Sequence, residues 1–79
     1  MRQRITTEQQ IGAILSGARR ATGLTQAQAG VRLGLSQNRV SELENGAAAI
    51  SVAQLLAMAA LYGLQIEMGA RNEPPATEW

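Results

Sequence analysis

Cysteine and histidine are both absent from the 79 residues. Without cysteine there is no disulfide framework and no thiolate metal site, and without histidine the most frequent nitrogen ligand is missing too. The same absences remove the usual nucleophile and acid–base pairs of catalysis. The six carboxylates are scattered, with no paired spacing suggestive of a catalytic dyad, and no glycine-rich phosphate loop of Walker or dinucleotide type occurs. The expectation is a protein that is not an enzyme, with no catalytic residues, no metal, no cofactor and no small-molecule substrate. A lack of cysteine also fits a reducing cytoplasm.

Long apolar runs are lacking as well. The longest, Leu55 to Tyr62, is far too short to span a bilayer. A signal peptide needs an apolar stretch where Thr6-Thr7-Glu8-Gln9-Gln10 stands. A soluble, cytoplasmic protein without a membrane partner is expected. The length allows one compact domain with a marginal core, and with disulfides and metal excluded, self-association is the stabilising option left open.

Charge is nearly balanced, at +1 formally. Every basic residue is arginine, and all but Arg71 precede Val40, whereas Glu42, Glu44, Glu67, Glu73 and Glu78 follow it. This asymmetry puts a basic face on the N-terminal half, a mild pointer to a polyanion.

Four helices are legible. Thr7 is an N-cap with Gln10 as its capping-box partner, and Ile11, Ile14, Leu15 and Ala18 then share one face. Arg19 and Arg20 suit the last turn and Gly23 provides the stop. Thr25 with Gln28 starts a second helix, whose narrow apolar face is Ala29, Gly30 and Leu33 and which ends at Gly34. A glycine inside a helix costs roughly 1 kcal/mol against alanine, so Gly30 implies close approach of a neighbouring helix. Ser36 caps a third helix, Gln37 to Glu44, with Val40 and Leu43 inward. After a loop of small residues, Ser51 caps a fourth helix running to about Tyr62, with a broad apolar surface.

Beyond Gly63 the period changes to two. Leu64, Ile66 and Met68 alternate with Gln65, Glu67 and Gly69, a strand signature. A lone strand leaves both edges unpaired, and pairing with the same strand of a second copy is the simplest remedy. A homodimer joined through Leu64, Ile66 and Met68 is therefore expected. The Pro-containing tail, 70–79, reads as extended or flexible. Its Trp79 is either part of that tail or an anchor in a pocket.

Residues Gln26 to Asn45 form the informative segment. Two short helices are joined by Gly34-Leu35-Ser36, with Gly30 allowing close crossing, Leu35 at the corner, and Val40 and Leu43 docking the second helix. This is the spacing of a helix-turn-helix, whose second helix keeps a face free for a DNA major groove.

The runs Leu24-Thr25-Gln26, Leu33-Gly34-Leu35-Ser36-Gln37 and Val40-Ser41-Glu42-Leu43-Glu44-Asn45-Gly46 resemble the Xre/Cro/phage-repressor family over about residues 9 to 62. The strand at Leu64 to Met68 and the terminal Glu78-Trp79 further resemble HipB-type antitoxins. The resemblance implies an all-α, lambda-repressor-like domain of four or five helices over 1–63, a dimerisation strand over 64–69 and a flexible tail over 70–79. It also implies a repressor that binds double-stranded operator DNA, with a HipA-type kinase toxin as partner. A stand-alone repressor without a toxin is the alternative, and a helical adaptor that binds only protein is a third reading. The polar face of the third helix argues against the adaptor.

On that resemblance Gln37, Asn38 and Ser41 are expected at base edges, with Arg39 at base or backbone. Thr25, Gln26 and Ser36 are expected near phosphate, and Arg19 is expected to form a structural ion pair with Glu44. The loop Ala47-Ala48-Ala49 departs from the family in lacking basic residues. Phosphate contact must then come from amides, Gln26, Arg39 and the Arg2/Arg4 arm.

Overall fold

A computed structural model describes residues 2–46 and 48–71. Four helices follow one another: α1 (Glu8–Ala21), α2 (Gln26–Leu33), α3 (Gln37–Glu44) and α4 (Val52–Tyr62). Their starts are fixed by the local chemistry that the sequence announces. Capping boxes close the first turns of α1, α2 and α4, pairing Thr7 with Gln10, Thr25 with Gln28 and Ser51 with Gln54. In α3 the third helical position is Arg39, so only half of the device forms: the Ser36 hydroxyl accepts from the Arg39 amide at 3.0 Å.

The helices assemble with α2 against α3, and α1 against both α3 and α4. Leu15, Ala29, Val40, Leu43, Met58, Ala59 and Tyr62 make the buried apolar core. Leu33 and Leu35 pack against it from the corner between α2 and α3. At that corner Gly34 adopts a left-handed conformation with φ 71°, and the Leu35 amide donates to the Gly30 carbonyl at 2.8 Å. Gly30 is what allows this: a Cβ there would lie 2.5 Å from the Leu35 carbonyl oxygen.

In the first helix Leu15 is buried, and Ile11 and Ala18 pack half-buried against the core. Beyond the apolar pattern, Gly12 and Arg19 are buried as well. The reason lies across the interface. A Cβ on Gly12 would meet the Glu44 carbonyl oxygen at 2.5 Å and the Leu43 carbonyl oxygen at 2.9 Å, so α1 touches the last turn of α3 backbone to backbone.

Helix α4 carries no charged residue. It supplies Met58, Ala59 and Tyr62 to the core, yet Val52 and Leu56 remain exposed. A helix apolar all round is ordinarily covered on all sides.

The expected strand is not formed among the described residues: 64–71 carry neither helix nor strand. Alternating residues dictate which way side chains point, but a strand exists only with a ladder partner. Instead, the Leu64 amide donates to the Ala59 carbonyl at 2.8 Å and seals the end of α4. Trp79 and the rest of 72–79 lie outside the described residues. No described helix is long and apolar enough to cross a membrane.

Candidate nucleic-acid interface

Among the described residues, helix α3 is docked by one side. Val40, Leu43 and Glu44 are buried, and at 100° per residue the opposite arc is centred on Asn38, Glu42 and Asn45. Gln37 and Ser41 flank it on one edge. All of these are exposed except Ser41, which is half-buried. Asn45 Nδ2 donates to Ser41 Oγ at 3.4 Å, tying the two along the stripe. The outward face is thus amide, hydroxyl and carboxylate, with no apolar residue.

Arg39 does not join this group. Its guanidinium Nη2 donates to the Ala49 carbonyl at 3.3 Å and to Gln54 Oε1 at 3.4 Å. The side chain thereby braces the loop that leads into α4. The outer arc of α3 is left without a cation of its own.

The hydroxyls expected near phosphate have other duties as well. Thr25 Oγ1 accepts from the Gln28 amide at 3.1 Å and Ser36 Oγ from the Arg39 amide at 3.0 Å. These caps fix where the N-termini of α2 and α3 begin. Neither first turn contains an acidic residue, so both termini keep the partial positive charge that suits an anion.

Gln26 is the residue that links this surface to the interior. Its side-chain amide donates to Glu44 Oε1 at 3.1 Å. Glu44 in turn receives two bonds from Arg19, Nε to Oε2 at 2.7 Å and Nη2 to Oε1 at 3.0 Å. Arg19 Nη1 completes the set by donating to the Leu24 carbonyl at 2.9 Å. One bidentate pair therefore ties together α1, the turn before α2, the start of α2 and the end of α3. Burial alone would raise the Glu44 pKa. The hydrogen bonds from Arg19 and then Gln26 outweigh it and hold the carboxyl below its ordinary value.

Tyr62 stands near this pair. Burial, and then the Glu44 charge, push its phenol up from the ordinary value. Its hydroxyl is buried without a hydrogen-bond partner among the described residues.

A second surface lies on the other side of α1. Arg2, Arg4 and Ile5 of the N-terminal arm line a groove together with Ile14 and Leu64 to Glu67. Gln10 holds the arm in place, its Oε1 accepting from the Thr6 amide and its Nε2 donating to the Arg4 carbonyl at 3.4 Å. Leu64 is half-buried there, Ile66 is 45% exposed and Met68 is 98% exposed. The arm arginines thus lie beside the C-terminal segment.

Two residues of the outer arc, Glu42 and Asn45, were not singled out by the sequence reading. The signal was available in the spacing: Glu42 stands one turn after Asn38, and Asn45 one turn after Ser41. Among the described residues no group of three or more acidic side chains is placed to hold a metal ion.

A family model described as "Helix-turn-helix domain" matches residues 10–71. Among curated proteins none matches. Among solved structures, a chain of a HipB(S29A)–O2 20mer complex superposes with a TM-score of 0.76 at 20% identity. The superposition covers 89% of this chain and 97% of that one.

Proposed function

Because the chain belongs to the helix-turn-helix domain family, we propose that it is a sequence-specific DNA-binding repressor acting as a homodimer. The outward arc of α3 carries this reading. It is polar, helical and free on the side away from the core, and a major groove about 12 Å wide admits one helix. Gln37, Asn38 and Ser41 read base edges. The N-termini of α2 and α3, marked by Thr25, Gln26 and Ser36, meet phosphates. Arg39, turned toward Ala49 and Gln54, serves the backbone side of the contact rather than a base.

Residues up to 63 form the DNA-binding unit. Residues 64–69 join two copies through Leu64, Ile66 and Met68, with the tail beyond them. The exposure of Ile66 and Met68 supports a partner copy here, and the uncovered Val52 and Leu56 on α4 leave further apolar surface for it. Two copies set half-sites about 34 Å apart, one turn of the duplex. The likeness of fold to a HipB chain supports the finer reading, an antitoxin that represses its own operon and binds a HipA-like kinase toxin.

The test is fluorescence anisotropy on the DNA upstream of the protein's own reading frame, at two salt concentrations against a random duplex. Tight, salt-sensitive binding to an inverted repeat is expected. Binding no stronger than to the random duplex would end the autorepressor reading. Co-purification of a kinase-like neighbour with the dimer is expected of an antitoxin. A dimer that binds operator DNA and retains no such kinase is a stand-alone repressor.

A further inference from the structure

The outward arc of α3 contains one charge, and it has the wrong sign for a phosphate backbone. Glu42 is exposed on that arc between Asn38 and Asn45, and no hydrogen bond or ion pair holds it among the described residues. Arg39, the one arginine of α3, is drawn aside by the Ala49 carbonyl and Gln54. A helix that offers the groove amides, a hydroxyl and a carboxylate has no bidentate donor for guanine. What it has is Gln37 and Asn38 for adenine and a carboxylate whose natural base partner is the exocyclic amine of cytosine.

Building on the repressor reading above, we propose that Glu42 is a specificity-determining residue, accepting a hydrogen bond from the N4 amine of a cytosine in each half-site. A carboxylate placed in a polyanion's groove is repelled unless it meets a donor, and in the major groove cytosine N4 offers one free of any neighbouring acceptor on the same base. Position follows from the helix. Four residues separate Asn38 from Glu42, an axial rise of about 6 Å. That is close to two base steps of about 3.4 Å, so the cytosine lies about two pairs from the adenine read by Asn38. The operator is accordingly rich in A·T pairs, with one fixed C·G pair per half-site.

The experiment is selection from a randomised inverted-repeat pool with the full-length wild type, Glu42→Ala, Glu42→Gln and Asn38→Ala, followed by sequencing. The wild type is expected to enrich cytosine at one position of each half-site by about five- to a hundredfold over the other bases. Glu42→Ala should lose the preference at that position alone. Glu42→Gln should turn it toward adenine, and Asn38→Ala should relax a position about two pairs away. The proposal is overturned if the wild type and Glu42→Ala select the same motif, including the case in which Glu42→Ala binds every sequence more tightly. A wild type that enriches no motif overturns the repressor reading together with this one, a result distinct from an unchanged motif. Glu42 is exposed and has no partner among the described residues, so thermal melts of the variants should match the wild type.

Discussion

Arg19 and Glu44 form a bidentate, buried ion pair, Nε to Oε2 at 2.7 Å and Nη2 to Oε1 at 3.0 Å, across 25 positions of sequence. Their side chains are 9% and 3% exposed. The pair does in the interior what its surface counterparts rarely do, because neither partner has water to fall back on. It joins α1 to the end of α3, and through Gln26 it reaches the start of α2.

Removing one partner leaves the other charge buried, which costs on the order of 3–5 kcal/mol. For a domain this small that is a large share of a total of roughly 5–10 kcal/mol. Glu44→Gln is therefore expected to lower Tm steeply in calorimetry. The same pair sets an acid response. The folded-state pKa of Glu44 lies below its ordinary value, so the pair's contribution is present above about pH 4.3. It is lost as pH falls through the depressed folded value. Wild-type Tm should drop with acidification in that window, and Glu44→Gln should flatten the drop.

Two glycines of α1 give opposite outcomes. At Gly17 a Cβ would meet nothing within 4 Å, whereas at Gly12 it would meet the Glu44 carbonyl oxygen at 2.5 Å. Gly17→Ala should stabilise by up to about 1 kcal/mol through helix propensity. Gly12→Ala gains the same propensity but must separate two backbones, and a net loss of about 1–3 kcal/mol is expected. Urea denaturation of the two variants checks the contrast.

The Tyr62 hydroxyl is buried with no partner among the described residues. A polar group in that position carries a desolvation cost with no bond to offset it. Tyr62→Phe should leave stability unchanged or raise it by about 1 kcal/mol in chemical denaturation. A clear loss would mean that the hydroxyl is bonded in the folded protein.

Self-association is expected to depend on the C-terminal segment. Ile66→Lys and Met68→Lys, at positions already exposed in the single chain, should keep the helical circular-dichroism signal. They should shift sedimentation equilibrium from dimer to monomer. An unchanged dimer would move the contact elsewhere, with the exposed Val52 and Leu56 of α4 as the next place to probe.

The helices were legible because their starts are local. Thr7 with Gln10 and Thr25 with Gln28 are three residues apart, and each pair closes its own turn. Gly30 was legible as a close-approach site because a glycine inside a helix asks for a reason. Gly12 asked the same question, but a periodicity read from apolar side chains passes over a residue that has none. The apolar face of α1 was accordingly read on Ile11, Ile14, Leu15 and Ala18, which includes the buried Leu15 but passes over Gly12. Arg39 was expected at a base or phosphate, and its turn toward Ala49 and Gln54 depends on residues 10 and 15 positions away. A period of two at 64–68 tells which side chains alternate and is silent on what would stand beside the strand. Glu42 figured in a charge imbalance and in the family-like run, but was given no role of its own. Its place became visible once Val40, Leu43 and Glu44 had fixed the inner side of α3.

The outer arc of α3 is the surface proposed to meet DNA. The direct measurement is a titration of the 15N-labelled protein with a duplex carrying its selected half-sites, followed by amide chemical shifts. The largest shifts are expected at Gln37, Asn38, Ser41, Glu42 and Asn45, with smaller ones at Thr25 and Gln26. Largest shifts along Arg2 to Ile5 and Leu64 to Glu67, with α3 unmoved, would place the DNA elsewhere.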